Sequence, residues 1–160
     1  MKRQLPQNLK RLLQDIGEGA VLLQLSIRLL NHPQWRVFQN YTEAGCDLVL
    51  VRSSHNTLGR QIKIEVKTRQ NIVTDRRNKN AVHFTLSEAE RDASDFLVAY
   101  WLDQNDFFVV PRDELMATWN GTKRVYKFIA YLSPRTQKYN EHTAKFCNNW
   151  DAIIEATKAE

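Results

Sequence analysis

This sequence of 160 residues has few cysteines and no long uninterrupted apolar run. Its two cysteines, Cys46 and Cys147, lie far apart and form no Cys-x-x-Cys pair, which argues against structural zinc. Free thiols in a reducing cytoplasm are the simplest account of such cysteines. The apolar stretch from Ala20 to Leu30 is interrupted by polar residues and is too short to cross a bilayer, and the first residues lack a signal-peptide pattern. We therefore predict a cytoplasmic protein that does not enter a membrane.

Internal repeats, low-complexity segments and linker-like stretches are also absent, so we predict a single domain over residues 1–160. The net charge of +5 and the pI of about 9.3 favour a polyanionic partner, either nucleic acid or an acidic membrane surface. Many proteins that bind no polyanion carry a similar excess. The sequence lacks the basic amphipathic helix expected of a membrane-surface protein, which favours nucleic acid.

Hydrophobic periodicity predicts a long helix over residues 5–31. Gly17 and Gly19 flank Glu18 within it, and either kink the helix or let another backbone approach closely. A short strand is predicted at 35–38. Further predictions are a helix that begins near His83 and is capped by Thr85 or Ser87, a buried strand at 95–102, a partner strand at 107–110, a short helix at 113–119, an edge strand at 125–132 and a helix at 141–158.

The most informative stretch runs from Gly45 to Thr68 and predicts a β-hairpin. Its first strand, residues 48–51, is wholly apolar. In its second strand Ile62, Ile64 and Val66 share one face, while Lys63, Glu65 and Lys67 share the other. Antiparallel pairing would bring Asp47, which opens the first strand, beside Glu65 and Lys67.

Two carboxylates and one ammonium group at such a point suit the hydrolysis of a phosphodiester bond. Carboxylate oxygens are hard ligands for Mg²⁺, and a neighbouring lysine can orient or deprotonate a water molecule. The alternative is that Asp47 ends a turn while Glu65 and Lys67 decorate a solvated sheet face. The apolar strands around the three residues argue against this alternative, because charges placed there are costly unless they are used.

This pattern resembles the PD-(D/E)xK nuclease superfamily, whose signature is an aspartate at a strand start and a Glu-x-Lys on the adjacent strand. Here the matching residues are Asp47 and Glu65-Val66-Lys67, with Cys46 in place of the proline. The resemblance covers residues 15–120 at the level of motifs. It implies an α/β fold with a restriction-endonuclease-like core, a mixed central sheet flanked by helices. It further implies Mg²⁺, with Mn²⁺ as a substitute, held by Asp47, Glu65 and the carbonyl of Val66.

Glu18 fits a further position of this superfamily, several branches of which carry a glutamate on the first helix before the aspartate. The resemblance implies that Glu18 reaches the metal directly or through water. The alternative is a solvated acid at a helix start, where the helix dipole favours negative charge.

Basic residues follow the Glu-x-Lys strand, at Arg69, Arg76, Arg77 and Lys79. Such a segment can bind phosphates that flank a cut site, or it can be a solvated loop. We favour the phosphate contact, because the segment leaves from the end of the strand that carries the candidate site. His83, an isolated histidine, is better explained as structural.

Together these observations predict a metal-dependent DNA endonuclease of a small resolvase-like, homing or restriction type. Asp47, Glu65, Lys67 and Glu18 form its expected catalytic set. Cutting both strands of a duplex requires two copies of so short a chain, so a homodimer or a larger symmetric assembly is expected. The alternative is a catalytically inactive nucleic-acid-binding module of the same fold, which would bind without Mg²⁺ and would not cleave.

Overall fold

The structure is a computed structural model that describes residues 6–41, 45–53, 58–70 and 80–159, to which all structural statements below refer. The helices in this part of the chain are α1 (Gln7–Arg28), α2 (Glu88–Ala93), α3 (Glu141–Phe146) and α4 (Asp151–Lys158). The strands are β1 (Trp35–Gln39), β2 (Leu48–Ser53), β3 (Leu58–Arg69), β4 (Ala81–Ser87), β5 (Phe96–Trp101), β6 (Asp106–Pro111), β7 (Met116–Asn120) and β8 (Lys123–Tyr131). None of these helices has the length and apolar character that crossing a membrane requires.

The central sheet has five strands in the order β1-β2-β3-β5-β6. Strands β3 and β5 are parallel and the other neighbours are antiparallel, so the sheet is mixed. The predicted hairpin is present as β2 and β3, with Leu48 opposite Ile64 and Leu50 opposite Ile62. Every residue of β5 is buried, as expected for a strand covered on both faces.

Each face of the central sheet packs on a separate apolar cluster. On one face Val21 and Leu25 of α1 pack against Leu48, Ile64 and Val66, together with side chains of α4. On the other face the remaining residues of β5 and β6 pack against a second sheet and α3. Because the alternating residues of β3 divide between the two faces, the face of Glu65 and Lys67 is opposite that of Ile64 and Val66.

The second sheet, in the order β4-β8-β7, differs from the sequence prediction. The helix expected from His83 begins only at Glu88, because Val82, Phe84 and Leu86 alternate along a strand and bury one face against the core. Ser87 does cap the helix, as predicted.

Two more expectations for this region were wrong. The helix expected at 113–119 is a 3₁₀ turn at Arg112–Glu114 followed by strand β7. The strand expected at the sheet edge, β8, lies between β4 and β7. The expected C-terminal helix is divided into α3 and α4. Between them the backbone of Cys147 forms an isolated antiparallel β-bridge with Phe108, and Asn148 adopts a left-handed backbone conformation with φ of 51°.

Helix α1 is continuous through both of its glycines, so Gly17 marks a close approach and not a kink. A Cβ atom added at Gly17 would lie 1.7 Å from Oγ1 of Thr68, on β3. Only a glycine therefore lets α1 pack at this distance from β3. A Cβ atom at Gly19, by contrast, would meet nothing within 4 Å.

The Gly17→Ala substitution is expected to destabilise the protein by about 1–3 kcal/mol, because α1 must move away from β3. Gly19→Ala is the matched control and should raise stability by about 0.5–1 kcal/mol, since alanine favours the helix. Urea unfolding followed by tryptophan fluorescence measures both changes. Equal effects of the two substitutions would contradict the packing of α1 against Thr68.

Candidate active site

The candidate site forms at the start of β2, beyond which β3 continues without its antiparallel neighbour. Strand β2 begins at Leu48, opposite Ile64, whereas β3 runs on to Arg69 beside β5. The backbone groups of Val66 that face the missing partner therefore need other hydrogen-bonding groups. The carboxylate of Asp47 accepts a hydrogen bond from the Val66 N–H at 2.7 Å, and the amide of Gln14 donates to the Val66 carbonyl at 2.9 Å.

Gln14 joins helix α1 to this edge of the sheet. Besides the Val66 carbonyl, its Nε2 atom donates to Glu18 at 3.0 Å and lies 3.5 Å from an oxygen of Asp47. One amide group thus contacts three of the oxygen-bearing groups predicted to bind metal. Sequence reasoning missed Gln14; its only signal is that it lies one helical turn before Glu18.

Lys67 lies between two carboxylates on the opposite face of β3 from Val66. Its Nζ atom is 2.6 Å from Glu65 and 2.8 Å from Glu90. The Glu65 side chain is only 5% exposed and the Lys67 side chain 18% exposed, so their ion pair is largely shielded from water, whereas the Glu90 side chain is 31% exposed. The structure therefore brings Glu18, Asp47, Glu65 and Lys67, all predicted from the sequence, into one connected region.

Glu90 is the second residue that sequence reasoning did not assign to the site. It lies in the first turn of α2, where its carboxylate accepts from the Ser87 N–H while the Ser87 hydroxyl accepts from the Glu90 N–H. This capping box fixes the carboxylate that holds Lys67. The Ser-x-x-Glu pattern is visible in the sequence, but its contact with Lys67 depends on how α2 packs beside β3.

Three carboxyl groups of the site, those of Glu18, Asp47 and Glu65, have raised pKa values, whereas the hydrogen bonds from Lys67 and Ser87 lower the pKa of Glu90 despite its partial burial. Burial, and then the nearby charge of Asp47, raise the pKa of Glu65 to about 8 despite its contact with Lys67. Burial likewise raises the pKa of Asp47 and that of Glu18. At Lys67 burial alone would lower the pKa, but Glu65 and Glu90 together raise it, so the ammonium form is favoured. Without a metal these carboxyl groups therefore tend to keep protons, because one lysine cannot offset the charge of all of them when they are ionised.

The donor atoms suit a hard divalent cation. Carboxylate oxygens of Asp47 and Glu65 and the carbonyl oxygen of Val66 are the ligand types that Mg²⁺ and Mn²⁺ prefer. Across residues 6–41, 45–53, 58–70 and 80–159, no three or more histidine, cysteine, aspartate or glutamate side chains are grouped so that they could hold a metal ion. The Val66 carbonyl accepts a hydrogen bond from the Gln14 amide at 2.9 Å, so a cation at this point would share that oxygen with Gln14 or displace the amide from it.

The raised pKa of Glu65 predicts how the metal-free protein responds to pH. Between the ordinary value of 4.5 and about 8, the folded protein keeps a proton that the unfolded chain has lost. Stability should therefore fall as pH rises through this window. The Glu65→Gln substitution should reduce that fall by about 1–3 kcal/mol between pH 5 and pH 8.

Urea unfolding in EDTA at pH 5, 6.5 and 8 measures this effect. Glu155→Gln, an exposed glutamate of α4, provides the matched control and should leave the pH dependence unchanged. Identical pH dependence in wild type and Glu65→Gln would contradict a buried, proton-binding Glu65.

The predicted phosphate-binding residues are only partly described. Arg69 ends β3, where it is half-buried and donates to the Thr68 carbonyl at 3.1 Å. Arg76, Arg77 and Lys79 lie outside the described residues. His83 is half-buried on β4, on the face opposite Val82 and Phe84, which is consistent with a structural role.

No family model matches this chain, and no curated protein matches its sequence. Two solved structures resemble it closely in fold. The bacterial homing endonuclease I-Ssp6803I shares 18% identity over 93% of this chain and 95% of its own, with a TM-score of 0.58. D212, a nuclease from a fusellovirus, shares 10% identity over 97% of this chain and 95% of its own, with a TM-score of 0.61. The chain therefore has the restriction-endonuclease-like fold expected from its sequence, with a mixed central sheet flanked by helices.

Proposed function

We propose that this protein is a metal-dependent DNA endonuclease whose active site lies at the start of β2, beside β3. The observation that carries the proposal is the meeting of Asp47, Glu65 and Lys67 at this point, in a largely buried region where carboxyl groups outnumber the single ammonium group. Two proteins with the same fold, I-Ssp6803I and D212, are nucleases, which supports it.

Asp47, Glu65 and the Val66 carbonyl are the proposed ligands of Mg²⁺, for which Mn²⁺ can substitute, and Glu18 is a further ligand directly or through water. When bound, the ion lowers the pKa of a water molecule and offsets charge on the phosphate. The Val66 N–H holds the Asp47 carboxylate in place at 2.7 Å. This hydrogen bond orients one proposed ligand before any cation binds.

Lys67 is proposed to position the attacking water and to offset developing charge as an ammonium group. In the metal-free chain Glu65 and Glu90 raise the pKa of Lys67 although burial opposes them, which favours its ammonium form. Glu90, fixed by the capping box of α2, is the proposed positioning residue for Lys67, which it contacts at 2.8 Å. The chain thus holds the ammonium group of Lys67 in a fixed position beside the proposed metal ligands.

DNA is the proposed substrate, which agrees with the net charge of +5. Arg69, Arg76, Arg77 and Lys79 are proposed to contact phosphates near the cut site. A homodimer or larger symmetric assembly is proposed, because each chain supplies one site and a duplex has two strands. The cytoplasm is the proposed compartment.

Incubation with supercoiled plasmid, branched DNA, single-stranded DNA and RNA tests the proposal, with parallel reactions in Mg²⁺, Mn²⁺ and EDTA. We expect cleavage of DNA in either metal and none in EDTA, with RNA uncut. Binding of DNA without cleavage in either metal would overturn the proposal and would indicate a catalytically inactive binding module instead.

A further inference from the structure

Helix α1 has a second apolar face, which points away from the sheet. Five of its apolar side chains and one from the 3₁₀ turn that follows are 43% to 77% exposed. They are Leu9, Leu12, Ile16, Leu23, Ile27 and Leu30. Isolated exposed apolar residues are common, but six on a single helix face form a patch of the kind that marks an interaction surface.

These residues form a narrow stripe along the helix. At 3.6 residues per turn, positions 9, 12, 16, 19, 23, 27 and 30 fall within an arc of about 80°. The buried residues Gly17, Val21 and Leu25 lie on the opposite side of the helix. The stripe contains no charged residue, so it resembles the seam of a helix pair more than the surface of a solvated helix.

The spacing of the stripe is the same when it is read in either direction. Leu9 and Leu30, Leu12 and Ile27, and Ile16 and Leu23 lie at equal distances from the midpoint between Gly19 and Ala20. Two antiparallel copies related by a two-fold axis at this midpoint would therefore place each apolar side chain against an apolar partner.

The midpoint also suits a close helix crossing. Gly19 has no side chain, and the space beyond it is open, since an added Cβ atom would meet nothing within 4 Å. Small residues at a crossing let two helices approach to about 8–10 Å between their axes.

We propose that the α1 stripe binds the α1 stripe of a second copy of this chain in an antiparallel pair. The symmetric spacing favours a second copy as the partner, because an antiparallel copy matches each apolar side chain with an apolar side chain. Six half-exposed side chains contribute apolar surface on the order of 500 Å². With the polar residues that flank them, this approaches the roughly 800 Å² per partner of a standard interface.

The pair leaves the candidate site accessible, because Gln14 and Glu18 lie on the other side of α1 from the stripe. The role of this dimer, to supply two active sites for the two strands of a duplex, rests on the proposed function. The α1 contact is argued from α1 alone, so the dimer proposal and the nuclease proposal can fail independently of each other.

Analytical ultracentrifugation of the full chain tests the contact. The wild type is expected to have about twice the chain mass of 18.8 kDa at micromolar concentration. Ile16→Glu and Leu23→Glu should each reduce the mass to that of one chain, with an unchanged circular dichroism spectrum. Arg11→Gln, which alters charge by the same amount on another face of α1, should remain a dimer. A monomeric wild type, or folded dimers of both glutamate variants, would overturn the proposal.

Cysteine cross-linking tests the antiparallel register and does not depend on the glutamate variants folding. A mixture of Ile16→Cys and Leu23→Cys chains should form an oxidised cross-linked dimer, whereas each variant alone should form at least about five-fold less. Equal cross-linking of either variant with itself would overturn the antiparallel arrangement. A dimeric, correctly cross-linked protein that cuts no DNA would leave this inference intact and would refute the nuclease proposal.

Discussion

Replacing Asp47 with asparagine is expected to lower the rate of DNA cleavage in Mg²⁺ by about 100-fold or more. Asparagine has nearly the same size, and its amide oxygen can still accept the hydrogen bond that Val66 donates at 2.7 Å. The start of β2 should therefore keep its position beside β3. The substitution removes the negative charge of the Asp47 carboxylate, which is proposed to bind the divalent cation.

Plasmid nicking measured under single-turnover conditions gives the change in rate. Asp103→Asn provides the matched control, since Asp103 is exposed in the 3₁₀ turn between β5 and β6. It should cleave like the wild type. If Asp47→Asn also cleaved at the wild-type rate while binding DNA normally, Asp47 would have no part in catalysis.

Replacing Lys67 with methionine is expected to reduce cleavage by a similar factor, about 100-fold, for a different reason. Methionine fills much of the same space but removes the cation that lies between Glu65 and Glu90. The proposed metal ligands remain, so Mn²⁺ binding should persist in Lys67→Met and be weakened in Asp47→Asn. The two variants thus separate metal binding from the positioning of water.

Isothermal titration with Mn²⁺, alongside single-turnover cleavage, measures both properties of the Lys67 variant. Lys158→Met, at an exposed position of α4, serves as the control for loss of one positive charge. Wild-type cleavage by Lys67→Met would remove Lys67 from the mechanism. If Lys67→Met lost both Mn²⁺ binding and cleavage, Lys67 would act on the metal ligands and not on the water.

The hairpin that carries the candidate site could be predicted because its signals are local. Turn residues separate two short strands, and the alternation of Ile62, Ile64 and Val66 with charged residues fixes which face each side chain takes. Once the hairpin register is set, Asp47 must lie near the residues opposite the start of β2. Strands β2, β3 and β5 of the central sheet could be predicted from the same local patterns of apolar residues and turns.

The second sheet was missed although Val82, Phe84 and Leu86 alternate in the sequence, because the capping residues near Ser87 favoured a helix and the pairing of β4 with β8 joins distant segments. The capping box at Ser87 pointed to a helix nearby, but it could not show that Val82, Phe84 and Leu86 form a strand against β5 and β6. The contact of Glu90 with Lys67 follows from that packing, so it was invisible in the sequence. The bonds that Gln14 makes likewise depend on how α1 lies across β3.

The most direct test of the central claim is the anomalous diffraction of Mn²⁺ in crystals of this protein at neutral pH. The account predicts one Mn²⁺ peak about 2.1–2.3 Å from a carboxylate oxygen of Asp47, a carboxylate oxygen of Glu65 and the carbonyl oxygen of Val66. Crystals that hold Mn²⁺ elsewhere, or that keep the Gln14 amide on Val66 with no peak beside it at saturating Mn²⁺, would contradict it.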